Sequence, residues 1–580
     1  SSRFYLSMED ELMRLFGGAQ AEGLMRRLNL DDMVPIESGV LGRMVEQSQT
    51  RVEGSNFDVR KHLLEYDDVL NSQRKRIYGQ RDLVFTKDDL SEDVLEMLDL
   101  ELKIRVPQSL KDEEGPWKLL GFLEQIQPAI DSEGGYCPSF TLALLMEDVR
   151  QRMKQGVQPL TALQDALLGL AADAFEAERE HVERSVRSML ERTAESLEAQ
   201  LSERTDALES YFSALRSGQE DEEVPTLRRP QEILDELTNA VRMPLRLTSE
   251  QMRLLVDADP ALEQPLRRQM EQMLKALAIN RSLATLERRL EEPLNLKPST
   301  LNELSWDEAA GQMLRSVQEV YENRRSRLLG RDGQIARELE NSISRLGETV
   351  LEPRYQIQLL RLISVGQRVD FDARTHRRSS AAYNRLNFIY FAARLLENAP
   401  PEQVTRDVLD HLLQAQTTLQ AAWGLSEWNR LAVAGVSLNQ LEERVRLPME
   451  EIIGTERFGE LVSLSMIEIG PADRDLLAPV LGKRMQNEIY RQLLLNVISD
   501  QWVEYLTKME ALRISIGMEA YAQRNPLVEY KSKASELFRE LLSDVRAGVI
   551  SRMFLLQPQR VTMPVERERA EAAAAALPVL

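Results

Sequence analysis

Gly517-Met518-Glu519-Ala520-Tyr521-Ala522-Gln523-Arg524-Asn525-Pro526 lies between two apolar stripes. Before it, Ile489, Leu493, Val497, Trp502, Leu506, Met509, Leu512 and Ile516 recur at spacings that keep them on one face of a helix. After it, Ala534, Leu537, Phe538, Leu541, Val545, Val549 and Met553 do the same. Gly517 can end the first helix, Asn525 can cap the second, and Pro526 suits its first turn. The stretch therefore predicts an antiparallel two-helix hairpin with a polar tip, and the sequence as a whole reads as all-α (mainly α).

Working outward, residues from Leu41 to about Val84 contain no proline, and apolar residues recur at Leu41, Met44, Val45, Val52, Val59, Leu63, Leu64, Leu70, Ile77 and Tyr78. One very long helix is expected there. Gly54 costs it about 1 kcal/mol against alanine, which marks a kink or a close packing contact. Residues 86–170 carry the turn signals Glu113-Glu114-Gly115-Pro116 and Gly134-Gly135-Tyr136-Cys137-Pro138, with short helices between them. Phe175 to Leu215 reads as one amphipathic helix with a charged outer face. Breaks follow at Gly218–Pro225, Asp257-Ala258-Asp259-Pro260 and Pro400-Pro401, with helices filling the intervals and no fixed repeat. Near the start, Arg3-Phe4-Tyr5-Leu6-Ser7 reads as a strand end. The opening Ser1-Ser2, without an initiator Met, suggests a piece of a longer protein. The Ala-rich residues after Pro558 read as a disordered tail.

Composition narrows the function. In 580 residues, 43% are hydrophobic but only 6% aromatic, which favours helix over sheet. A net charge of −21 opposes phosphate contacts and argues against nucleic acid as the main partner. The basic run from Arg374 to Arg378 reads as a solvated loop. Cys137 is the single cysteine, so no intramolecular disulfide or cysteine-based zinc cluster is expected. No run of eighteen apolar residues occurs. His62, His181, His376 and His411 have neither metal nor triad spacing and read as surface or packing residues. Leu481-Gly482-Lys483-Arg484 has a Gly-Lys pair but no glycine-rich approach to cradle phosphate, and reads as a helix N-terminus or loop. Glu65, Asp67 and Asp68 are better explained as scaffold contacts than as acid–base groups. No catalytic, cofactor-binding or metal-binding residue is expected in this chain.

Three motifs, in order, resemble the SecA preprotein translocase family. Ser1 to Arg14 resembles the stretch that follows the last ATPase motif of its second motor lobe. Val52-Glu53-Gly54-Ser55-Asn56-Phe57-Asp58-Val59-Arg60-Lys61, continuing to Val69, resembles the long helix of its scaffold domain. Trp502, Met509-Glu510-Ala511-Leu512-Arg513, Ile516-Gly517 and Tyr521-Ala522-Gln523-Arg524-Asn525-Pro526 are similar to its two-helix finger. The resemblance spans about residues 1–90 and 486–557, with Val320-Tyr321-Glu322-Asn323-Arg324 as a further trace between them. It implies the end of a motor lobe over 1–35, a scaffold helix over 36–85, a helical wing with a large insertion over 86–485 and a sub-boundary near 218–225. The finger and scaffold would then occupy 486–557, and a tail 558–580.

The resemblance also implies a function: transmitting ATP-driven motion to unfolded preproteins at a SecYEG-type channel. ATP and Mg would be held by motor lobes, and this chain is not expected to hydrolyse ATP alone. Tyr521, with Ala520, Gln523 and Arg524, would touch preprotein and channel at the finger tip, while Trp502 would serve the hairpin core. Other implied partners are the motor lobes and an acidic phospholipid surface, and the implied location is the cytoplasm, peripherally on the inner face of the membrane. Three departures stand out. Tyr505 occupies a usual histidine position, Glu519 a usual arginine position, and no cysteine-rich zinc-binding tail occurs, so tail-dependent docking is not expected. The competing readings are a non-enzymatic helical scaffold of SecA-like descent and, less favoured on charge, a nucleic-acid motor fragment.

Overall fold

The computed structural model describes residues 39–112, 115–153, 158–221, 229–330, 333–372, 377–516 and 525–558. The expected strand at Arg3–Ser7, the Ala-rich tail and the hairpin tip lie outside them. Proline-free sequence from residue 39 onward forms α1 (Gly39–Thr86), a single helix of 48 residues. Among the described residues, Cβ atoms added at Gly39, Gly42 and Gly54 meet nothing within 4 Å, so of the kink or close packing expected at Gly54 no close contact is seen there. Next come α2 (Ser91–Leu110), α3 (Trp117–Ile126), a short hairpin of β1 (Ile130–Ser132) and β2 (Gly135–Cys137), and α4 (Phe140–Arg152).

Pro159 opens α5 (Pro159–Asp221), a 63-residue helix that starts well before the expected Phe175. The apolar stripe already begins at Leu163, Leu167 and Leu170, all fully buried. Pro230 stands in the first turn of α6 (Pro230–Val241), which Arg242 closes in the left-handed conformation with φ of 52°. Thr248 and Gln251 form a reciprocal capping box on α7 (Ser249–Val256). After the break at Asp259-Pro260 the chain forms α8 (Glu263–Leu290), α9 (Pro298–Glu303) and α10 (Trp306–Leu329). Ser305 and Glu308 build a second capping box on α10. Then follow α11 (Gln334–Leu346) and α12 (Pro353–Ser364).

Residues 365–384 correct the sequence reading. They form an antiparallel hairpin of β3 (Val365–Asp372) and β4 (Arg377–Asn384), with Val365 opposite Asn384 and Asp372 opposite Arg377. Arg377 and Arg378, read above as solvated loop, are strand residues. The alternation of Val365, Gln367, Val369 and Phe371 carried that signal, and the basic run obscured it. The chain ends with α13 (Ile389–Leu396), α14 (Pro401–Val433), α15 (Glu443–Ile453), α16 (Thr455–Leu461), α17 (Pro471–Ser515) and α18 (Pro526–Met553). The fold is mainly α, with two small antiparallel strand pairs among the described residues. No helix among those residues is long and apolar enough to cross a membrane.

The chain forms two compact units. Of the described residues, one comprises those of 39–104, 130–135 and 412–558, the other those of 105–129 and 136–411. In the first, α17 passes through residue 486 without a break and packs on α1, α15 and α18. In the second, α5 is the spine, and α4, α6, α8, α10, α11 and α13 pack along it.

Candidate functional site: the scaffold helix and two-helix hairpin

Both helices of the expected hairpin form. Asn525 accepts a hydrogen bond from the Leu527 N–H at 3.0 Å, and Pro526 occupies the first turn of α18. Gly548 of α18 lies so close to α17 that an added Cβ would stand 2.8 Å from Val497 Cγ1. Tyr505 of α17 meets Phe538 of α18 edge to face, with ring centroids 6.0 Å apart. Pairing 497 with 548 and 505 with 538 makes the two helices antiparallel.

A buried polar joint ties this hairpin to α1. The Tyr505 hydroxyl donates to Gln73 Oε1 at 2.6 Å, and Gln73 Nε2 donates to the Ala534 carbonyl at 3.2 Å. One amide on α1 therefore engages both hairpin helices. Tyr505 and Gln73 are both buried, and Trp502 stacks on Tyr505 at 5.3 Å. Burial, with the neighbouring Tyr530 adding to it, pushes the Tyr505 phenol well above its usual range, so it is a donor at any physiological pH. Tyr66 of α1 meets Tyr530 of α18 edge to face at 4.7 Å. Tyr505 thus gives the hairpin a neutral donor that reaches α1.

The C-terminal end of α1 is anchored separately. Arg491 donates from Nε to the Val84 carbonyl at 3.1 Å and from Nη2 to the Lys87 carbonyl at 2.8 Å. A cation there satisfies orphan carbonyls and interacts favourably with the negative end of the helix dipole. Asn487 Oδ1 accepts the Leu90 N–H at 2.8 Å, and Lys483 pairs with Asp89 at 2.9 Å. Partial burial opposes ionisation of Asp89, but the Ser91 N–H and the Lys483 ammonium outweigh it and hold the carboxyl down at about 2. On α2, Glu101 pairs with Arg546 of α18 at 3.0 Å, with both side chains largely buried.

Gly482 corrects another expectation, because it lies inside α17 rather than at a helix N-terminus or loop. An added Cβ would stand 2.1 Å from the Gln420 carbonyl oxygen, and one at Gly424 would stand 2.3 Å from the Ala478 carbonyl oxygen. The two glycines let α14 and α17 cross backbone to backbone, so the Gly-Lys pair serves packing. His181 and His411 are packing residues. His181 stacks on Tyr390 at 4.0 Å, and His411, buried, bonds Gln127 at 3.0 Å. Among the described residues no group of three or more His, Cys, Asp or Glu could hold a metal ion.

Tyr521, Ala520, Gln523 and Arg524, the expected contact residues, lie outside the described residues, as does Glu519. On the flanks of that segment Ile514 is 74% exposed and Val528 60% exposed, so both helices carry open apolar side chains as they approach it. Sequence reasoning named Trp502 as core, which its burial bears out. It missed Gln73, whose signal was a polar residue between Leu70 and Ile77 on the apolar stripe of α1.

The family model described as "SecA Wing and Scaffold domain" matches residues 35–398 and 315–557 of this chain. The second match begins just before Val320 and extends the similarity through the stretch that resembled the family only in traces. The protein translocase subunit SecA of Syntrophus aciditrophicus is 38% identical over 171 residues, covering 29% of this chain and 20% of that protein. The subunit from Thermodesulfovibrio yellowstonii is 48% identical over 134 residues, covering 23% and 15%. That from Syntrophomonas wolfei is 44% identical over 161 residues, covering 27% and 18%. The chain thus spans a fifth or less of the length of these curated relatives. With the scaffold helix, the hairpin joint and a family match that runs from residue 35 to residue 557, the chain belongs to the SecA wing and scaffold family.

Proposed function

We propose that this chain is the transmitting part of a SecA-type protein translocase, in which α1 passes displacement from ATP-hydrolysing motor lobes to the hairpin of α17 and α18. The hairpin tip, with Tyr521, Ala520, Gln523 and Arg524, pushes unfolded preprotein toward a SecYEG-type channel. ATP and its Mg ion belong to the motor lobes in this reading. The protein works at the cytoplasmic face of the membrane, held there peripherally by the channel and acidic lipid. The observation that carries the proposal is the Gln73 joint. Because one buried amide on α1 bonds both hairpin helices, a shift of α1 moves the hairpin as a unit instead of sliding past it. An aromatic residue at position 521 can grip varied side chains without sequence preference.

Site-specific crosslinking from position 521 to a stalled preprotein and to the channel tests this, with motor lobes supplied by fusion. Crosslinks to both, absent when the probe sits on an outward position such as Glu195 of α5, are the expected result. A folded, motor-associated chain that crosslinks to neither overturns the finger role and leaves a non-enzymatic helical scaffold.

A further inference from the structure

The second compact unit contains a bay of about 930 Å3 between α5 and α8, closed at one end by the turn after α6. Its origin follows from the helix pairing. The Tyr211 hydroxyl donates to the Ile233 carbonyl at 3.0 Å, and Arg242 lies 3.9 Å from Glu203, so α6 runs antiparallel to α5. At Arg242 the backbone turns left-handed and the chain leaves. A helix continuing the line of α6 would lie on the α5 residues before Glu203.

That surface of α5 is built to be covered. Its apolar stripe continues through Met189, Leu197 and Leu201, yet no side chain between Leu190 and Thr205 is fully buried, and Leu197 and Leu201 are only partly covered by the core around Leu208. Across the bay, Leu277 of α8 is 50% exposed. Beyond both ends of the gap α5 is properly packed: Leu208 and Phe212 are buried against α6 and α8, and Val186 and Leu190 are buried on the other side. The bay is therefore the length of helix surface that, among the described residues, lacks a third helix, flanked by surface that has one.

The lining fixes the chemistry of the occupant. Arg192, Arg204, Arg242 and Arg281 line the bay and no Asp or Glu does, in a chain of net charge −21, although Glu203 outside the lining lies 3.9 Å from Arg242. Arg289 bonds Ser185 at 2.8 Å and Arg216 pairs with Glu263 at 2.9 Å, so α8 runs antiparallel to α5. This places Arg281 opposite the Arg192 end of the bay, while Arg204 and Arg242 share the other end. The Arg204 guanidinium is steered by the Gln200 carbonyl at 3.1 Å, and its Nε is buried without an acceptor among the described residues. Two basic ends about 18 Å apart along α5, separated by Leu and Met side chains, suit a ligand with anions at both ends and an apolar middle. A single-headed anionic amphiphile satisfies one end only. Met189, Met243 and Met273 add adaptable apolar walls.

We infer that this bay is a docking groove for an amphipathic helix of a partner protein, one bearing acidic residues in its first and last turns and leucine-type residues on the face between them. The helix completes the bundle that α6 leaves open. This inference is independent of the hairpin's role.

The test uses the full 580-residue chain and a fluorescent peptide of about 18 residues with leucines on one face and glutamates in both terminal turns. Fluorescence anisotropy is expected to show saturable binding that weakens with salt, and at least tenfold weaker binding of a peptide with the glutamates replaced by lysine. Arg192→Glu with Arg242→Glu is expected to weaken the acidic peptide at least tenfold while circular dichroism and the melting temperature stay unchanged. Leu277→Asp is expected to do the same through the apolar wall. Equal binding of acidic and basic peptides, or binding indifferent to these substitutions, overturns the inference. Laurate binding that Arg192→Glu abolishes, with no peptide binding, replaces the groove by a small-amphiphile site. Concentration-dependent self-association lost in Leu277→Asp, again without peptide binding, replaces the partner by a second copy of the chain.

Discussion

The two ends of α1 carry apolar residues at the same helical spacing and differ in what packs on them. In the half toward the hairpin, Ile77 is 1% exposed, Val84 and Gln73 are buried, and Arg491 holds the last carbonyls. Toward the other end Phe57 is 60% exposed, although Ser48 there is buried. Both halves repeat apolar residues at helical spacing, so the pattern defines a face in each. What differs is the supply of a partner, which α17 and α18 provide for one half only among the described residues. An apolar stripe thus states that a helix surface is made to be covered and leaves open by what, a distinction that returns in the bare stretch of α5.

Truncation separates the halves most strongly. Ile77→Ala removes a fully buried side chain, and a loss on the order of 3 kcal/mol is expected from transfer and cavity effects together. Phe57→Ala removes a side chain that is 60% exposed and is expected to change stability by less than about 0.5 kcal/mol. Denaturant midpoints of the two variants check this, and equal losses would show that the open half is covered in solution.

The polar joint gives a smaller and more specific effect. Gln73→Leu leaves the Tyr505 hydroxyl buried without its acceptor, an expected cost of about 2 kcal/mol. Adding Tyr505→Phe removes the stranded group, so the double variant is expected to recover at least about 1 kcal/mol of that loss. A strictly additive double-mutant cycle would mean that the clamped half is held by apolar packing alone.

These residues also show what was legible in sequence. The hairpin was readable because Asn525-Pro526 punctuates two apolar stripes, and local capping chemistry depends on neighbours in the chain. The long helix was readable because nothing interrupts it. Gln73 was not, since a polar residue on an apolar face looks the same whether it meets water or a buried phenol. Gly482 was misread for a related reason: the close backbone crossing with Gly424 joins residues far apart in sequence. The β3–β4 hairpin was hidden by a basic run whose bias toward solvent outweighed a short alternation. The resemblance at the tip points to Tyr521, while the described geometry around it ends at Ile516 and resumes at Asn525.

The smallest expected effect tests the electrostatic part of the anchor. Asp89 is depressed to about 2 in the folded chain from an ordinary value of 3.8, so its stabilisation is fully present above 3.8 and is lost as the pH falls through 2. Asn at position 89 keeps an oxygen for the Ser91 N–H and removes only the charge that faces Lys483. Because the Asp89 and Lys483 side chains are 44% and 62% exposed, solvent screening reduces the pair's contribution to less than about 1 kcal/mol. Asp89→Asn is therefore expected to melt slightly earlier than the parent at pH 7 and together with it at pH 2, and the difference at pH 7 should shrink in high salt. If the difference persists unchanged at pH 2, Asp89 acts through the shape of its cap, and the end of α1 is secured by Arg491 and Asn487 with no help from the ion pair.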